Sequence, residues 1–163
     1  MKKVNIGLLG LGNIGTGTYK TLEMNHDLIA ARSGLDLAIT KILEIDTERE
    51  RDITVVPEQF TQDASVIFED PDISIVIELL GGIEPATSFM LEAMRRGKHV
   101  VTANKAAVAA NYDALTKCAK ENKVFFRYEA SVGGGIPILN ALATVLQAND
   151  FMEVLGIVNG TTN

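Results

Sequence analysis

Three glycines near the start of the chain have the spacing that a dinucleotide-binding turn requires. Gly10, Gly12 and Gly15 directly follow a short apolar run rich in β-forming residues, and a helix-like segment comes next. In such a unit the first glycine permits a tight turn, and the second lets the backbone approach a pyrophosphate. The third lets the helix pack close to the strand, so that the amides of Asn13, Ile14 and Gly15 face the phosphates. The pattern therefore predicts a nucleotide site.

A lysine at the end of a later strand is well placed for proton transfer. Lys105 follows the apolar run 99–101 and precedes an alanine-rich segment, so we expect its ammonium near a protected crevice. Burial and a nearby helix N-terminus would both disfavour the charge and suit the amine to proton transfer. The alternative is an ordinary surface lysine, but the strand-end position favours the functional interpretation.

Acidic residues follow the second predicted strand, where an acid commonly binds the adenosine ribose about 20 residues after the glycine turn. Glu44 and Asp46 occupy this place, later than the common spacing. An acid favours NAD because it repels a 2′-phosphate, whereas Arg49 and Arg51 are close enough in the chain to reverse that preference. The alternative is that residues 44–52 form a solvated, mobile loop.

Two further features have more than one interpretation. The segment from Glu129 to Gly135 is rich in glycine, and its free carbonyls suit either a hard cation or a close backbone approach. The single cysteine, Cys118, lies within a helix pattern and is predicted to be a packed thiol and not a nucleophile. One cysteine also excludes an internal disulfide, which fits a reducing cytoplasm.

The composition is typical of a globular α/β protein. Of 163 residues 47% are hydrophobic, with few aromatics and no tryptophan, which favours a parallel sheet buried on both faces. A net charge of −6, and no basic cluster beyond residues 95–98, argue against nucleic acid or an anionic membrane as partner. No apolar run reaches the about 18 residues of a membrane span, and the N-terminus lacks signal-peptide features. We therefore expect a cytoplasmic protein.

Strand and helix patterns alternate along the chain with short connections. This order predicts right-handed crossovers and a doubly wound parallel sheet, the Rossmann type of α/β fold. Residues 25–34 either extend the first helix or form a loop. The predicted strands are residues 3–9, 35–43, 55–57 (a short edge strand), 73–80, 99–101, 124–128 and 151–158, and the predicted helices are 16–25, 64–69, 85–96, 111–122 and 136–147.

The predicted strand ends also indicate where chemistry should occur and how the chain divides. Ligands bind beyond the carboxyl ends of the strands in a doubly wound sheet. The last predicted strand has no closing helix after it. We therefore expect residues 1–130 to form the dinucleotide-binding domain, and residues 131–163 to begin a second, catalytic domain that continues beyond Asn163.

Five segments together resemble the homoserine dehydrogenase family. They occur in that family's order over the whole chain, and the last three are more specific than the glycine turn. The segments are residues 7–15, 78–85, 97–105, 128–137 and 156–163.

The resemblance implies a cytoplasmic, homodimeric enzyme that interconverts L-homoserine and L-aspartate 4-semialdehyde with NAD(P)H, on the route to threonine, methionine and isoleucine. By this similarity Lys105 would lie beside the nicotinamide and the substrate and assist proton transfer. Leu80, Gly81 and Thr102 would line the nicotinamide pocket. The glycine-rich loop is similar to the family's sodium site, with carbonyl ligands at Glu129, Val132, Gly134 and Ile136.

Two departures from the family pattern affect these expectations. Ile45 stands roughly where members that prefer NADP have a basic residue, so the choice between NAD and NADP stays open. The family's substrate-binding half, with a second catalytic lysine, would lie beyond Asn163. We therefore expect this chain to hold the cofactor and not to turn over alone.

Two other classes of protein share the glycine turn. Oxidoreductases of the sugar-dehydrogenase type resemble Glu-Lys-Pro at the lysine, whereas this chain has Asn104-Lys105-Ala106. A non-catalytic, redox-sensing NAD(P)-binding module would need neither Lys105 nor the loop at Glu129.

Overall fold

The computed structural model describes residues 1–153 and 155, in which strands and helices alternate. The strands are β1 (Lys2–Leu9), β2 (Leu35–Leu43), β3 (Phe60–Thr61), β4 (Ile73–Glu78), β5 (His99–Thr102) and β6 (Phe126–Arg127). The helices are α1 (Asn13–Met24), α2 (His26–Ser33), α3 (Ser65–Phe68), α4 (Ala86–Arg95) and α5 (Lys105–Glu121). Two 3₁₀ turns (Pro57–Gln59 and Glu129–Ser131) and a π-helical turn (Ala141–Val145) complete the set.

The strands form one parallel sheet in the order β3-β2-β1-β4-β5-β6. The chain moves outward from β1 to β3, returns to the centre for β4, and then moves outward in the other direction to β6. The direction therefore reverses between β1 and β4, which is the point where such sheets bind ligands. This order confirms the predicted doubly wound fold. The residues that follow β1, β2, β4, β5 and β6 lie together at what we call the carboxyl edge.

Helices cover both faces of the sheet, as the composition predicted. On one face Ile6 and Leu8 of β1 pack with Tyr19 of α1. On the other face Val76 of β4 packs with Met90 of α4. Burial on both faces explains why these strands are almost continuously apolar in sequence. Within residues 1–153 and 155, no helix combines the length and the apolar character needed to cross a membrane.

Strand β2 has the bounds that the sequence predicted, and the undecided segment after α1 is the separate helix α2. The edge strand predicted at residues 55–57 is wrong. Pro57 instead begins a 3₁₀ turn, and β3 follows at Phe60–Thr61. The side-chain amide of Gln59 donates to the carbonyl of Ile39 at 2.7 Å. A side-chain hydrogen bond, and not a backbone ladder, therefore joins the 3₁₀ turn at residues 57–59 to β2.

A further helical segment precedes the helix predicted from Asn111, so that α5 begins at Lys105 and two helical segments meet at Asn111. The side-chain oxygen of Asn104 accepts a hydrogen bond from the Ala107 amide at 3.0 Å and caps the helix. Asn111 has a non-helical φ of −132° inside α5, and its side chain donates to Thr87 Oγ1 at 3.1 Å. Asn111 therefore marks a kink in α5, because a tertiary contact occupies its side chain.

The predictions for the C-terminal part need the largest changes. The strand predicted over 124–128 is reduced to Phe126–Arg127. The helix predicted over 136–147 is helical only from 139 to 145, because the Glu129 carboxylate accepts the amides of Leu139 and Asn140 and sets its start there. Half of the strand predicted over 151–158 lies outside the described residues, and 151–153 and 155 are not in a strand.

Candidate functional site at the carboxyl edge

The glycine turn lies at the carboxyl edge between β1 and α1. Gly10 has a φ of +92°, which side chains rarely permit, and its amide donates to the carbonyl of Leu43 at 2.9 Å. A Cβ on Gly15 would lie 2.2 Å from the Gly10 carbonyl oxygen, whereas a Cβ on Gly12 would meet nothing within 4 Å. Packing therefore requires Gly15, and Gly12 leaves open space beside the start of α1. The first amides of a helix have no intrahelical acceptors, so the start of α1 offers hydrogen-bond donors beside this space.

Glu44 and Arg51 fasten the charged loop after β2 to the glycine turn. Glu44 Oε2 accepts the Leu11 amide at 2.9 Å, and Arg51 Nε donates to the Leu11 carbonyl at 2.9 Å. The two side chains lie 3.4 Å apart and are only 13% and 6% exposed. Arg49, by contrast, is exposed and donates to Asn13 Oδ1 at 3.1 Å. The interpretation as a solvated loop is therefore wrong for Glu44 and Arg51, because both complete the hydrogen bonds of Leu11.

A buried polar network joins the carboxyl ends of β4 and β5. Glu78 is fully buried, and its carboxylate accepts Thr102 Oγ1 at 2.5 Å and the Leu80 amide at 2.7 Å. The side-chain amide of Asn104 donates to the carbonyls of Leu80 and Gly82 at 3.1 and 2.8 Å. It also lies 3.4 Å from Glu78 Oε1. We call these five residues the Glu78 network, and it holds the loop after β4 against the start of α5.

The environment of Glu78 acts on its ionisation in two opposite directions. Burial raises the pKa of the Glu78 carboxyl, and the hydrogen bonds from Thr102, Leu80 and Asn104 counteract part of this rise. A buried carboxyl without hydrogen-bond donors would be costly, so these donors are needed to keep it in the core. The sequence offers one signal for this site, a single charge inside the apolar run 73–80.

Lys105 lies at the carboxyl edge as predicted, but it is exposed. The expected burial of its ammonium is wrong because Thr102 and Asn104, which precede it, occupy the buried positions at the end of β5. Lys105 is the first residue of α5, directly after the capping residue Asn104. The Glu78 network therefore positions the start of α5 and with it the backbone of Lys105. The Lys105 side chain stays accessible to a ligand.

The glycine-rich loop reaches the same edge through Ser131, whose hydroxyl donates to the Thr102 carbonyl at 3.1 Å. The carbonyls of Glu129 and Ile136 each accept one backbone hydrogen bond, at 3.1 and 3.0 Å, and each keeps a second lone pair. In the part of the chain that the structure describes, no group of three His, Cys, Asp or Glu residues is arranged to hold a metal ion. The Glu129 carboxylate accepts the amides of Leu139 and Asn140, so the acceptors that this loop keeps available include the backbone carbonyls of Glu129 and Ile136.

The structure brings the two central loops of the predicted site into contact. A Cβ on Gly10 would lie 3.0 Å from both the Leu79 carbonyl oxygen and Leu80 Cδ2. The glycine turn is thus adjacent to the Leu80–Gly81 loop, and Thr102 is joined to that loop through Glu78. Val132, Gly134 and Ile136 are exposed, and Ser131 is the residue that links their loop to the network. Glu78 and Asn104 are the site residues that sequence reasoning missed.

A doubly wound parallel sheet with a glycine turn and a helix N-terminus at its switch point defines a Rossmann dinucleotide-binding domain. The family model described as "Homoserine dehydrogenase, NAD binding domain" matches residues 10–129. The chain belongs to this family.

The similar proteins are named homoserine dehydrogenases. The homoserine dehydrogenase of Bacillus subtilis is 40% identical over 163 residues, which is 100% of this chain and 38% of the relative. The homoserine dehydrogenase of Synechocystis is 41% identical over 160 residues, or 98% of this chain and 36% of the relative. The crystal structure of a homoserine dehydrogenase from Thiobacillus denitrificans superimposes with a TM-score of 0.82 at 37% identity, covering 91% of this chain and 34% of that one. The chain thus spans little more than a third of the length of these relatives.

Proposed function

We propose that this chain binds a nicotinamide dinucleotide and forms the cofactor-binding part of a homoserine dehydrogenase. The complete enzyme would interconvert L-homoserine and L-aspartate 4-semialdehyde with NAD(P)H, in the synthesis of threonine, methionine and isoleucine. The observation that carries this proposal is the identity of about 40% to named homoserine dehydrogenases over the whole chain. Residues 1–130 would be the dinucleotide-binding domain, and residues 131–163 the start of the catalytic domain.

The geometry of the carboxyl edge supports separate binding of the two ends of the dinucleotide, with the adenosine at the β1 and β2 ends and the nicotinamide at the β4 and β5 ends. The glycine turn and the start of α1 would hold the pyrophosphate, and Glu44 at the end of β2 would face the adenosine ribose. The β4 and β5 ends would receive the nicotinamide. The residues proposed to contact the cofactor are Gly10, Gly12, Asn13, Ile14, Gly15, Glu44, Leu80, Gly81, Thr102 and Lys105.

Lys105 is the proposed catalytic residue. Oxidation of homoserine moves a hydride from the alcohol carbon to the bound nicotinamide and releases the hydroxyl proton. Lys105 would orient the alcohol oxygen and assist the transfer of that proton. Its exposure at the start of α5 supports this role, because the ammonium is accessible to a substrate.

The surroundings of Glu44 support a preference for NAD over NADP. Arg51 is engaged by Glu44 and the Leu11 carbonyl, so the cation nearest to a 2′-phosphate would be the exposed Arg49. The Glu44–Arg51 pair has no net charge to attract that phosphate, and the exposed Asp46 carboxylate would repel it. We expect tighter binding of NADH than of NADPH, and Glu44→Gln should shift the ratio of dissociation constants towards NADPH. A wild-type preference for NADPH would contradict this assignment.

Sodium is proposed to bind the loop carbonyls of Glu129, Val132, Gly134 and Ile136. The unused lone pairs at Glu129 and Ile136 support this ligand set. Thermal unfolding in NaCl and in choline chloride at equal ionic strength tests it, and equal melting temperatures would argue against a sodium site. We further propose that the complete enzyme is a cytoplasmic homodimer, which sedimentation of the full-length protein would test.

Fluorescence titration of the 163-residue chain with NADH and NADPH tests the cofactor proposal directly. Saturable binding is expected, with competition by AMP. Homoserine oxidation is then assayed in the chain and in the complete enzyme, with activity expected only in the complete enzyme. Cofactor binding without homoserine oxidation by the complete enzyme would favour a redox-sensing module, and oxidation of sugars would favour the sugar-dehydrogenase type.

A further inference from the structure

Glu78 is an unusual residue for the centre of a sheet. It is the last residue of β4 and has no exposed surface, whereas the buried positions before it, Ile73 and Val76, are apolar. An apolar residue would avoid the desolvation cost of a carboxyl at this position. The carboxyl at this position therefore has a role in hydrogen bonding that an apolar side chain could not perform.

The donors to Glu78 come from the two loops that form one half of the carboxyl edge. The Leu80 amide belongs to the loop after β4, and the Thr102 hydroxyl belongs to the end of β5. Oε1 accepts the Leu80 amide and lies 3.4 Å from the Asn104 side-chain amide, and Oε2 accepts the Thr102 hydroxyl, so the carboxylate bonds to both loops. A rigid two-oxygen acceptor between two loops fixes their separation as well as their orientation.

The network extends from Glu78 to the first turn of α5. The Thr102 hydroxyl, while donating to Glu78, accepts the Asn104 amide at 2.9 Å. Asn104 caps α5 with its side-chain oxygen and holds the Leu80 and Gly82 carbonyls with its side-chain nitrogen. A displaced Glu78 would therefore move both the loop after β4 and the residue directly before Lys105.

The half of the edge at β1 and β2 is held together separately. There Glu44 and Arg51 bind the backbone of Leu11. None of the hydrogen bonds described for Glu78 reaches these residues. The two halves of the site thus have separate side-chain hydrogen bonds, and they meet where Leu79 and Leu80 lie against Gly10. Loss of one set of hydrogen bonds should affect mainly one half of a bound dinucleotide.

We propose that Glu78 is a positioning residue for the nicotinamide half of the cofactor site. Its carboxylate sets the distance between the Leu80–Gly82 loop and the start of α5, and thereby the space between them. This inference rests on the proposed cofactor function, and it adds a residue that touches neither cofactor nor substrate.

The test compares Glu78→Gln with wild type, using NADH as a probe of the whole site and AMP as a probe of the adenosine half alone. Glutamine keeps the shape but replaces one of the two acceptor oxygens by an amide donor, so it cannot accept all three hydrogen bonds from Thr102, Leu80 and Asn104. We expect the dissociation constant of NADH to rise about tenfold, the cost of one disrupted buried hydrogen bond, while that of AMP changes less than about twofold. Glu121→Gln, an exposed residue at the far end of α5, is the matched control and should bind both ligands as wild type does.

Thr102 provides a second pair of variants that decides the question if Glu78→Gln does not fold. Thr102→Ser, which retains the hydroxyl donor, should bind NADH more tightly than Thr102→Val, which removes it and should reproduce the selective loss. Combined with Glu78→Gln, Thr102→Val should cause less loss than the sum of the two single changes, because both affect the Thr102–Glu78 hydrogen bond, while Thr102→Val also removes the acceptor of the Asn104 amide.

Three results would overturn the proposal, and a fourth would overturn the proposed function instead. Unchanged NADH affinity in folded Glu78→Gln would show that the carboxylate positions nothing. Parallel loss of NADH and AMP binding would show a general structural role. Equal NADH affinity in Thr102→Ser and Thr102→Val would exclude the hydroxyl–carboxylate contact. Wild-type protein that binds neither NADH nor NADPH would contradict the cofactor function itself.

Discussion

Replacement of Gly15 by alanine should disrupt the strand–turn–helix unit at the start of the chain. The added Cβ would lie 2.2 Å from the carbonyl oxygen of Gly10 and 3.0 Å from its carbonyl carbon. Both atoms belong to the backbone, so no side chain can rotate away to relieve the contact. Gly10 is itself held by a hydrogen bond to Leu43 and by its positive φ, which leaves α1 as the element that must move.

The size of the effect follows from this geometry. A tolerable carbon–oxygen contact requires more than 3 Å, so α1 must shift outward by about an ångström along its contact with β1. Overpacking of this kind typically costs about 1–3 kcal/mol, and a backbone clash lies at the upper end. For a chain of this length, about 3 kcal/mol lowers the melting temperature by roughly 6–12 °C.

Thermal unfolding followed by circular dichroism measures this change, and two other glycines of the same segment serve as comparisons. Gly17 is exposed on α1, where a Cβ meets nothing within 4 Å, so Gly17→Ala should raise stability by about 0.5–1 kcal/mol. Gly12→Ala should fold as wild type does, because its Cβ is equally unobstructed, but should lose NADH binding. A melting temperature of Gly15→Ala within 2 °C of wild type, a threshold of about 1 kcal/mol, would refute the packing argument.

Three more predictions concern other parts of the carboxyl edge. In the complete enzyme, Lys105→Ala should lower kcat for homoserine oxidation by about 100-fold or more, and an unchanged kcat would exclude its catalytic role. Glu129→Gln should cost about 1–2 kcal/mol in thermal unfolding, because one of the amides of Leu139 and Asn140 loses its acceptor; Asn140→Ala, which keeps both amides, should cost less. Because burial raises the pKa of Glu78, its contribution to stability is complete below the ordinary glutamate pKa and is lost as pH rises through the folded value. We therefore expect urea unfolding, measured from below the ordinary glutamate pKa upward, to show a stability advantage of wild type over Glu78→Gln that falls with rising pH. An advantage that rises with pH would contradict the inferred direction of the pKa shift.

Local patterns were enough to predict the fold. Strand β2 could be bounded correctly because it is apolar apart from Asp36, Thr40 and Lys41 and lies between two clear boundaries. Gly34 ends α2 with a φ of 72°, and charged residues follow from Glu44 onward. The glycine turn was recognisable for a similar reason, since its steric requirements concern residues close together in the chain. The failed edge strand at residues 55–57 shows the limit, because the Gln59 side chain that determines the local structure bonds to a distant strand.

The asparagines of α5 show the same limit at the candidate site. Asn104 and Asn111 are both suitable helix caps by residue type. Asn104 caps the start of α5, and its side chain also binds the loop after β4. Asn111 lies where two helical segments of α5 meet, and its side chain donates to Thr87. Neither contact is visible in the order of residues alone.

The sequence by itself determined the order of strands and helices, the glycine turn and the family, because these depend on residues near one another in the chain. Only the tertiary structure decided which charged groups belong to the site. It buried Glu78 between two loops, fastened Glu44 and Arg51 to Leu11, and left Lys105 exposed. The physical reason is that the environment of a charge depends on donors and acceptors from other strands, which meet only when the parallel sheet brings its carboxyl ends together.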